Sequence, residues 1–174
     1  KNITRAANVK EVLGCEASAF LVITDRVLSG DEAAILNRTV IYRPKSLVAG
    51  IGCDRGVTVE EIEKLFLETF ASFGLSPQSV RNISTITLKR EEPGLLEFAR
   101  KYGLPVVCFT KEELNTVEHL PNPSEKVKKY TGAYGVAEPS AMLSAGIQEL
   151  VVEKRKIPRV TLAVARIPFA LHAK

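Results

Sequence analysis

The sequence predicts an α/β fold: a mixed, mostly parallel sheet with helices on both faces, preceded by part of a smaller domain. Three observations predict it. Residues 46–51 (SLVAGI) are an unbroken apolar run, the pattern of a strand covered on both faces as in a parallel sheet. Strand patterns then alternate with helix patterns to about residue 165, which implies βαβ crossovers. The last two strand patterns lie close together in sequence, so they form an antiparallel hairpin and make the sheet mixed.

The elements follow in order. Residues 18–25 (SAFLVITD) read as a buried strand, and 39–42 as a short β-branched one. Arg43-Pro44-Lys45-Ser46 breaks the pattern, because proline removes a ladder donor. A domain boundary is expected there, between residues 1–44 and 45–174. After strand 46–51 and a glycine-rich turn, Thr58 opens a helix with Glu61 three residues on, a capping box. Ile62, Leu65, Phe66, Thr69 and Phe70 recur at helical spacing, and Gly74 stops the run. Residues 80–88 alternate as a strand. Pro93 suits the first turn of a helix reaching to about Tyr102, with Gly103 ending it. A short strand is expected at 105–109, then helices capped by Thr110 and Ser124, a tight loop at 131–135 and a helix at 136–145. Strands at 149–153 and 160–165 are joined by a basic turn, Lys154-Arg155-Lys156.

Composition narrows the function classes. Hydrophobic residues make up 45% and charged residues 25%, enough for a core and too apolar for a disordered chain. No apolar run approaches the ~20 residues that span a bilayer, so no membrane partner is expected. Cys15, Cys53 and Cys108 are odd in number and widely spaced, which suits reduced cytoplasmic thiols rather than disulfides or a metal site. With His119 and His172 the only histidines, no dedicated metal site is expected. The net charge of +4 suits a polyanionic partner, either nucleic acid or a small polycarboxylate. Aromatic residues at 6% and no Trp supply few base-stacking platforms, so nucleic acid is disfavoured. Met142 is the one methionine, and a chain opening at Lys1 reads as a fragment.

Candidate sites cluster where strands hand over to helices. At Gly50, Gly52 and Gly56 the backbone is open to a ligand, with helix N–H donors just beyond for an anion. The same stretch reads equally well as a plain strand-to-helix turn, and its spacing is not that of a dinucleotide fingerprint. Cys53 is either a small hydrophobe or a nucleophile activated by the helix start. Leu88 to Gly94 follows a strand and opens a helix, so it belongs to the same edge of the sheet. There Glu91 and Glu92 are candidate bases and Lys89 a carboxylate partner, or the two acids simply complement the helix dipole. Two glycines and two tyrosines in Tyr130-Thr131-Gly132-Ala133-Tyr134-Gly135 precede another helix, where the rings are placed to flank a flat ligand or merely to close a loop. Gly52, Cys53, Lys89, Glu91 and Thr131 are expected to share one cleft.

Taken together, GIGCDRG, TLKREEPGLLEFARKYGLPV, PNPSEKV, TGAYGVAEPSAMLSAG, VVEKRK and VTLAVAR resemble, in order and spacing, the C-terminal domain of the cobalt-precorrin-5A hydrolase family, CbiG. The resemblance covers about residues 47–166 and extends to CobE, a stand-alone relative of that domain. SAFLVITDR resembles the central linker region of CbiG, which favours CbiG over CobE and makes residues 1–44 part of that region. The resemblance implies cobalamin biosynthesis by the anaerobic route. The δ-lactone of cobalt-precorrin-5A is opened to give cobalt-precorrin-5B, and acetaldehyde leaves. Cobalt arrives inside the substrate, so no cofactor is needed. The catalytic candidates are Glu91, Glu92 and Glu138; those for substrate binding are Gly50, Gly52, Cys53, Arg55, Gly56, Lys89, Thr131, Gly132 and Ser140. With the family's N-terminal domain missing, the fragment is expected to bind tetrapyrrole polycarboxylates but to hydrolyse them poorly. A homodimer is one assembly open to it.

Overall fold

In the computed structural model, which describes residues 3–168, five strands form one sheet in the order β5-β4-β3-β7-β6. The strands are β3 (Leu47–Cys53), β4 (Val80–Ile86), β5 (Val106–Phe109), β6 (Leu150–Ile157) and β7 (Val160–Arg166). β3, β4 and β5 run parallel, β7 is antiparallel to β3, and β6 returns antiparallel along β7. The mixed, mostly parallel sheet is therefore the one expected. The last six positions of the expected C-terminal domain, His172 among them, lie outside the described residues.

Side chains on successive strand residues point to opposite faces, and β3 divides two cores accordingly. Leu47, Ala49 and Ile51 join the larger core with α1 (Val59–Ser72) and α2 (Pro93–Lys101). Val48 meets Ala141 and Ala145 of α5 (Ala137–Ala145) on the other face. The larger core centres on Phe66, whose ring lies 4.3 Å from Phe70, 5.2 Å from Phe98 and 5.3 Å from Tyr102. Thr58 and Glu61 form the expected capping box on α1. A second box, Thr110 with Glu113, opens the short α3 (Lys111–Leu114). Ser124 caps α4 (Glu125–Thr131), as its sequence suggested.

Two readings are corrected. The basic triplet Lys154-Arg155-Lys156 is not a turn but the middle of β6, and the reversal falls at Pro158 and Arg159. β6 is an edge strand, where charged side chains reach water without leaving the ladder. Nor are residues 18–25 a buried strand: the strand there is Phe20–Ile23, with Leu21 and Ile23 exposed. The strand expected at 80–88 is present as β4. β4 is buried at every position except Arg81, because α1 and α2 cover one face and α5 the other. The strand ends at Ile86, and residues Thr87–Lys89 turn away as one turn of 3-10 helix.

Ahead of this sheet, β1 (Phe20–Ile23) and β2 (Thr39–Tyr42) pair in parallel as a separate two-stranded sheet. It is tied to the main sheet through the segment after β1. Asp25, 6% exposed, accepts from Arg166 Nε at 2.7 Å, from Arg166 Nη2 at 3.0 Å and from Ser46 Oγ at 2.9 Å. Backbone bonds from Ser76 N to Asp25 O and from Val27 N to Gly74 O complete the join.

Candidate functional site

Because β3, β4 and β5 are parallel, their carboxyl ends at Cys53, Ile86 and Phe109 share one edge, where open α/β sheets bind ligands. The loop after β3 is held on two sides. Arg159 donates to Arg55 O at 2.8 Å and to the Glu61 carboxylate at 3.0 Å, and Asp54 N donates to Arg159 O. On the other side Gly56 N donates to Glu92 Oε1 at 2.7 Å. Gly94 lies so close to Val57 O that a Cβ there would overlap the carbonyl. The loops after β3 and β4 are thus pressed together.

This geometry narrows the expected anion cradle. Thr58 N donates to Glu61 Oε2 at 2.9 Å, Glu61 N to Thr58 Oγ1 at 3.3 Å, and Gly56 N to Glu92. These donors at the start of α1 already hold the chain's own acceptors. Gly50 is not open to a ligand either: a Cβ there would overlap Ala137 O and lie 2.9 Å from Ala141 Cβ. A Cβ on Gly52 would lie 2.6 Å from Thr161 Oγ1. Both glycines exist to let α5 and β7 approach β3. Gly56, exposed with φ at +65°, is the one that shapes a turn, and Arg55 beside it is exposed.

Two of the three candidate bases are already engaged. Glu92, with its side chain 7% exposed, is held by Gly56 N and by Lys89 Nζ at 3.5 Å. Glu138, 2% exposed, accepts from Asn122 N, Asn122 Nδ2 and Lys154 N at 3.2, 2.8 and 3.1 Å. Its carboxylate latches the 121–124 loop to β6, a structural role that its position in the first turn of α5 did not reveal. Glu91 is exposed on the rim. Ser140 is fully buried between α5 and β4, bonded to Ser84 Oγ at 3.2 Å, and cannot touch substrate.

Thr131 lines a cleft of about 310 Å³ with Ile86, Thr87, Leu88, Thr110, Lys111 and Glu112. Under it Ile86, Leu114, Ala133 and Val136 form a small buried cluster. Gly132, φ +78°, ends α4, and the Lys111 stem lies across it. Asn115 bridges the loop, donating to Gly132 O at 2.9 Å and accepting from Tyr134 N at 3.2 Å. Tyr134 is engaged by Lys128, whose ammonium stands 4.0 Å from the ring centroid, while Tyr130 is exposed. Of the residues expected to share one cleft, Cys53 and Lys89 lie near Glu92, which also holds Gly56 N, while Thr131 lines its cleft with Thr87 and Leu88.

Cys53 is half-buried, and burial pushes its thiol up to about 11, with Lys89 opposing the rise. The thiol form dominates, against the nucleophile reading. Roughly a thousandth is thiolate at pH 8, so iodoacetamide should label exposed Cys15 first and Cys53 increasingly as pH rises toward 11. Equal labelling rates at pH 8, read by peptide mass spectrometry, would contradict this. Among the described residues no cluster of His, Cys, Asp and Glu could hold a metal ion. Arg159, Asn115 and Asn122, which shape the rim, were not singled out from sequence; a proline on each side of Asn122 was the one local hint.

The fold and the rim define a mixed α/β domain built to present loops at the carboxyl edge of its parallel strands. The model of the family described as "Cobalamin synthesis G C-terminus" matches residues 47–165, and the chain belongs to that family. It is 45% identical over 168 residues, 97% of its length, to the cobalt-precorrin-5A hydrolase of Priestia megaterium. It spans 45% of that relative's length. Over 129 residues it is 31% identical to protein CobE of Sinorhizobium sp., covering 74% of this chain and 84% of CobE. A crystal structure of CobE, described as a protein from the cobalamin pathway, superimposes with a TM-score of 0.66 at 33% identity, covering 71% of this chain and 91% of that one.

Proposed function

We propose that this chain is the C-terminal part of an enzyme that hydrolyses the δ-lactone of cobalt-precorrin-5A to cobalt-precorrin-5B, releasing acetaldehyde, in anaerobic cobalamin biosynthesis. The observation that carries the reading is that identity to the hydrolase runs over 97% of the chain, whereas the match to CobE covers 74%. Arg55, Lys89 and Lys111 around the rim suit a flat macrocycle bearing carboxylates, which are best held by charge-assisted hydrogen bonds. Cobalt belongs to the substrate, and no cofactor is assigned to the protein. The partner is this small molecule rather than nucleic acid. Of the acids proposed as base, Glu91 is the one left exposed at the rim. Reduced cysteines favour a cytoplasmic location. Among the described residues no helix is long and apolar enough to cross a membrane.

A carrier that binds corrinoid intermediates without chemistry is the second reading. It is favoured by the likeness to CobE and by the engagement of Glu92 and Glu138 in structural bonds. An acetaldehyde assay separates the two. Full-length protein given cobalt-precorrin-5A should release one acetaldehyde per substrate, and this chain alone should release little. Tight binding without acetaldehyde from the full-length protein would replace the hydrolase by the carrier.

A further inference from the structure

The buried carboxylates of this fold are well supplied with partners. Asp25 accepts three hydrogen bonds, from Ser46 and twice from Arg166. Glu138 accepts three, and Glu92 is held at 2.7 Å by Gly56 N. Lys89, a cation at the rim, is less well supplied. Its side chain is 13% exposed, yet its ammonium makes one contact, at 3.5 Å to Glu92 Oε2. An ammonium carries three donors, and 3.5 Å exceeds the usual ~2.7–3.2 Å for N–H···O bonds. A largely desolvated cation with donors to spare is stabilised when another oxygen reaches it.

Its place is one that a ligand's oxygen could reach. Lys89 closes the turn after β4, at the carboxyl edge of the parallel strands and beside Cys53 at the end of β3. Glu92 holds it from one side, and the loop that Glu92 grips through Gly56 is locked by Arg159. Around the start of α1, the donors Gly56 N, Thr58 N and Glu61 N are already spent on Glu92, Glu61 and Thr58.

We infer that the Lys89 ammonium, held by Glu92 between the loops after β3 and β4, receives the lactone carbonyl oxygen of the substrate and neutralises the oxyanion formed there. The assignment rests on the hydrolase reading. Water adds through its oxygen to the carbonyl carbon, one proton passes to a base, and the carbonyl π pair moves onto the oxygen facing Lys89. Collapse re-forms the carbonyl and breaks the bond from acyl carbon to ring oxygen. The proton then goes to the released alkoxide. One water has been added across the ester bond, and a carboxyl group and a hydroxyl result.

The test uses full-length protein with Lys89→Met, Lys89→Arg and the double variant Lys89→Met/Glu92→Gln, the last avoiding an unpaired buried carboxylate while keeping an acceptor for Gly56 N. Calorimetry with a cobalt corrinoid carrying a lactone ring should give affinities about 10-fold or more weaker for both Met variants, with Arg recovering part of the loss. Acetaldehyde release should fall about 10²–10³-fold in kcat with a smaller change in KM. Wild-type protein that binds but releases no acetaldehyde would remove the hydrolase reading; Lys89 would then be judged on the calorimetry alone. Folded Met variants with wild-type affinity, or wild-type protein giving no heat, would overturn the assignment. Wild-type kcat in the double variant would do the same.

Discussion

Gly50→Ala should be among the most damaging single-methyl changes in this protein. The new Cβ would overlap Ala137 O and approach Ala141 Cβ to 2.9 Å. A backbone carbonyl at a helix start cannot swing aside as a side chain can, so α5 must lift from β3. Overpacking of this kind costs about 3 kcal/mol, read as a fall of roughly 10 °C in Tm for a chain of this size. The lift would also carry the 132–136 loop, so corrinoid binding should weaken with stability. Gly103→Ala is the control: φ is +62° and nothing lies within 4 Å of its Cβ, so only the left-handed strain of about 1 kcal/mol applies. Equal melting temperatures for the two variants would show that α5 does not seat on Gly50 as described.

Asp25→Ala should cost about 3 kcal/mol, the second large effect. It removes a buried carboxylate that accepts from Arg166 twice and from Ser46 once. Arg166 is 36% exposed and can partly rehydrate, which moderates the loss. The loss should be local as well as global. Residues 24–28 are joined to the main sheet by this pair and by two backbone bonds, so limited proteolysis should cut the segment before β3 earlier in the variant. A double-mutant cycle of Asp25→Ala with Arg166→Met should give a coupling of about 1.5–3 kcal/mol. Strict additivity would mean that the pair contributes nothing beyond its separate parts.

Much of the fold was legible because it is written in local patterns. Thr58 and Thr110 sit three residues before a glutamate, and capping boxes need nothing beyond that spacing. The apolar run at 46–51 could be hidden only inside a sheet covered on both faces. The close spacing of β6 and β7 left a hairpin as the short route. Lys154, Arg155 and Lys156 misled because charge reads as turn, whereas an edge strand exposes one side to water.

The site was legible as an edge and not as a set of roles. Strand ends and glycines placed 50–56, 87–94 and 131–136 at neighbouring loops, which is a matter of chain order and sheet direction. What each residue does depends on groups far away in sequence. Gly50 is pressed by Ala137, Glu138 by Asn122 and Lys154, and Gly56 N by Glu92, at separations that no local pattern encodes. The sequence by itself determined the α/β class, the caps and the family. Only the tertiary structure decided which glycines pack and which turn, which acids are already bonded, and that Lys89 is a half-buried cation with donors to spare. The physical reason is that propensity and periodicity act over a few residues, whereas hydrogen-bond saturation and close packing are settled between elements that meet only after the chain has folded.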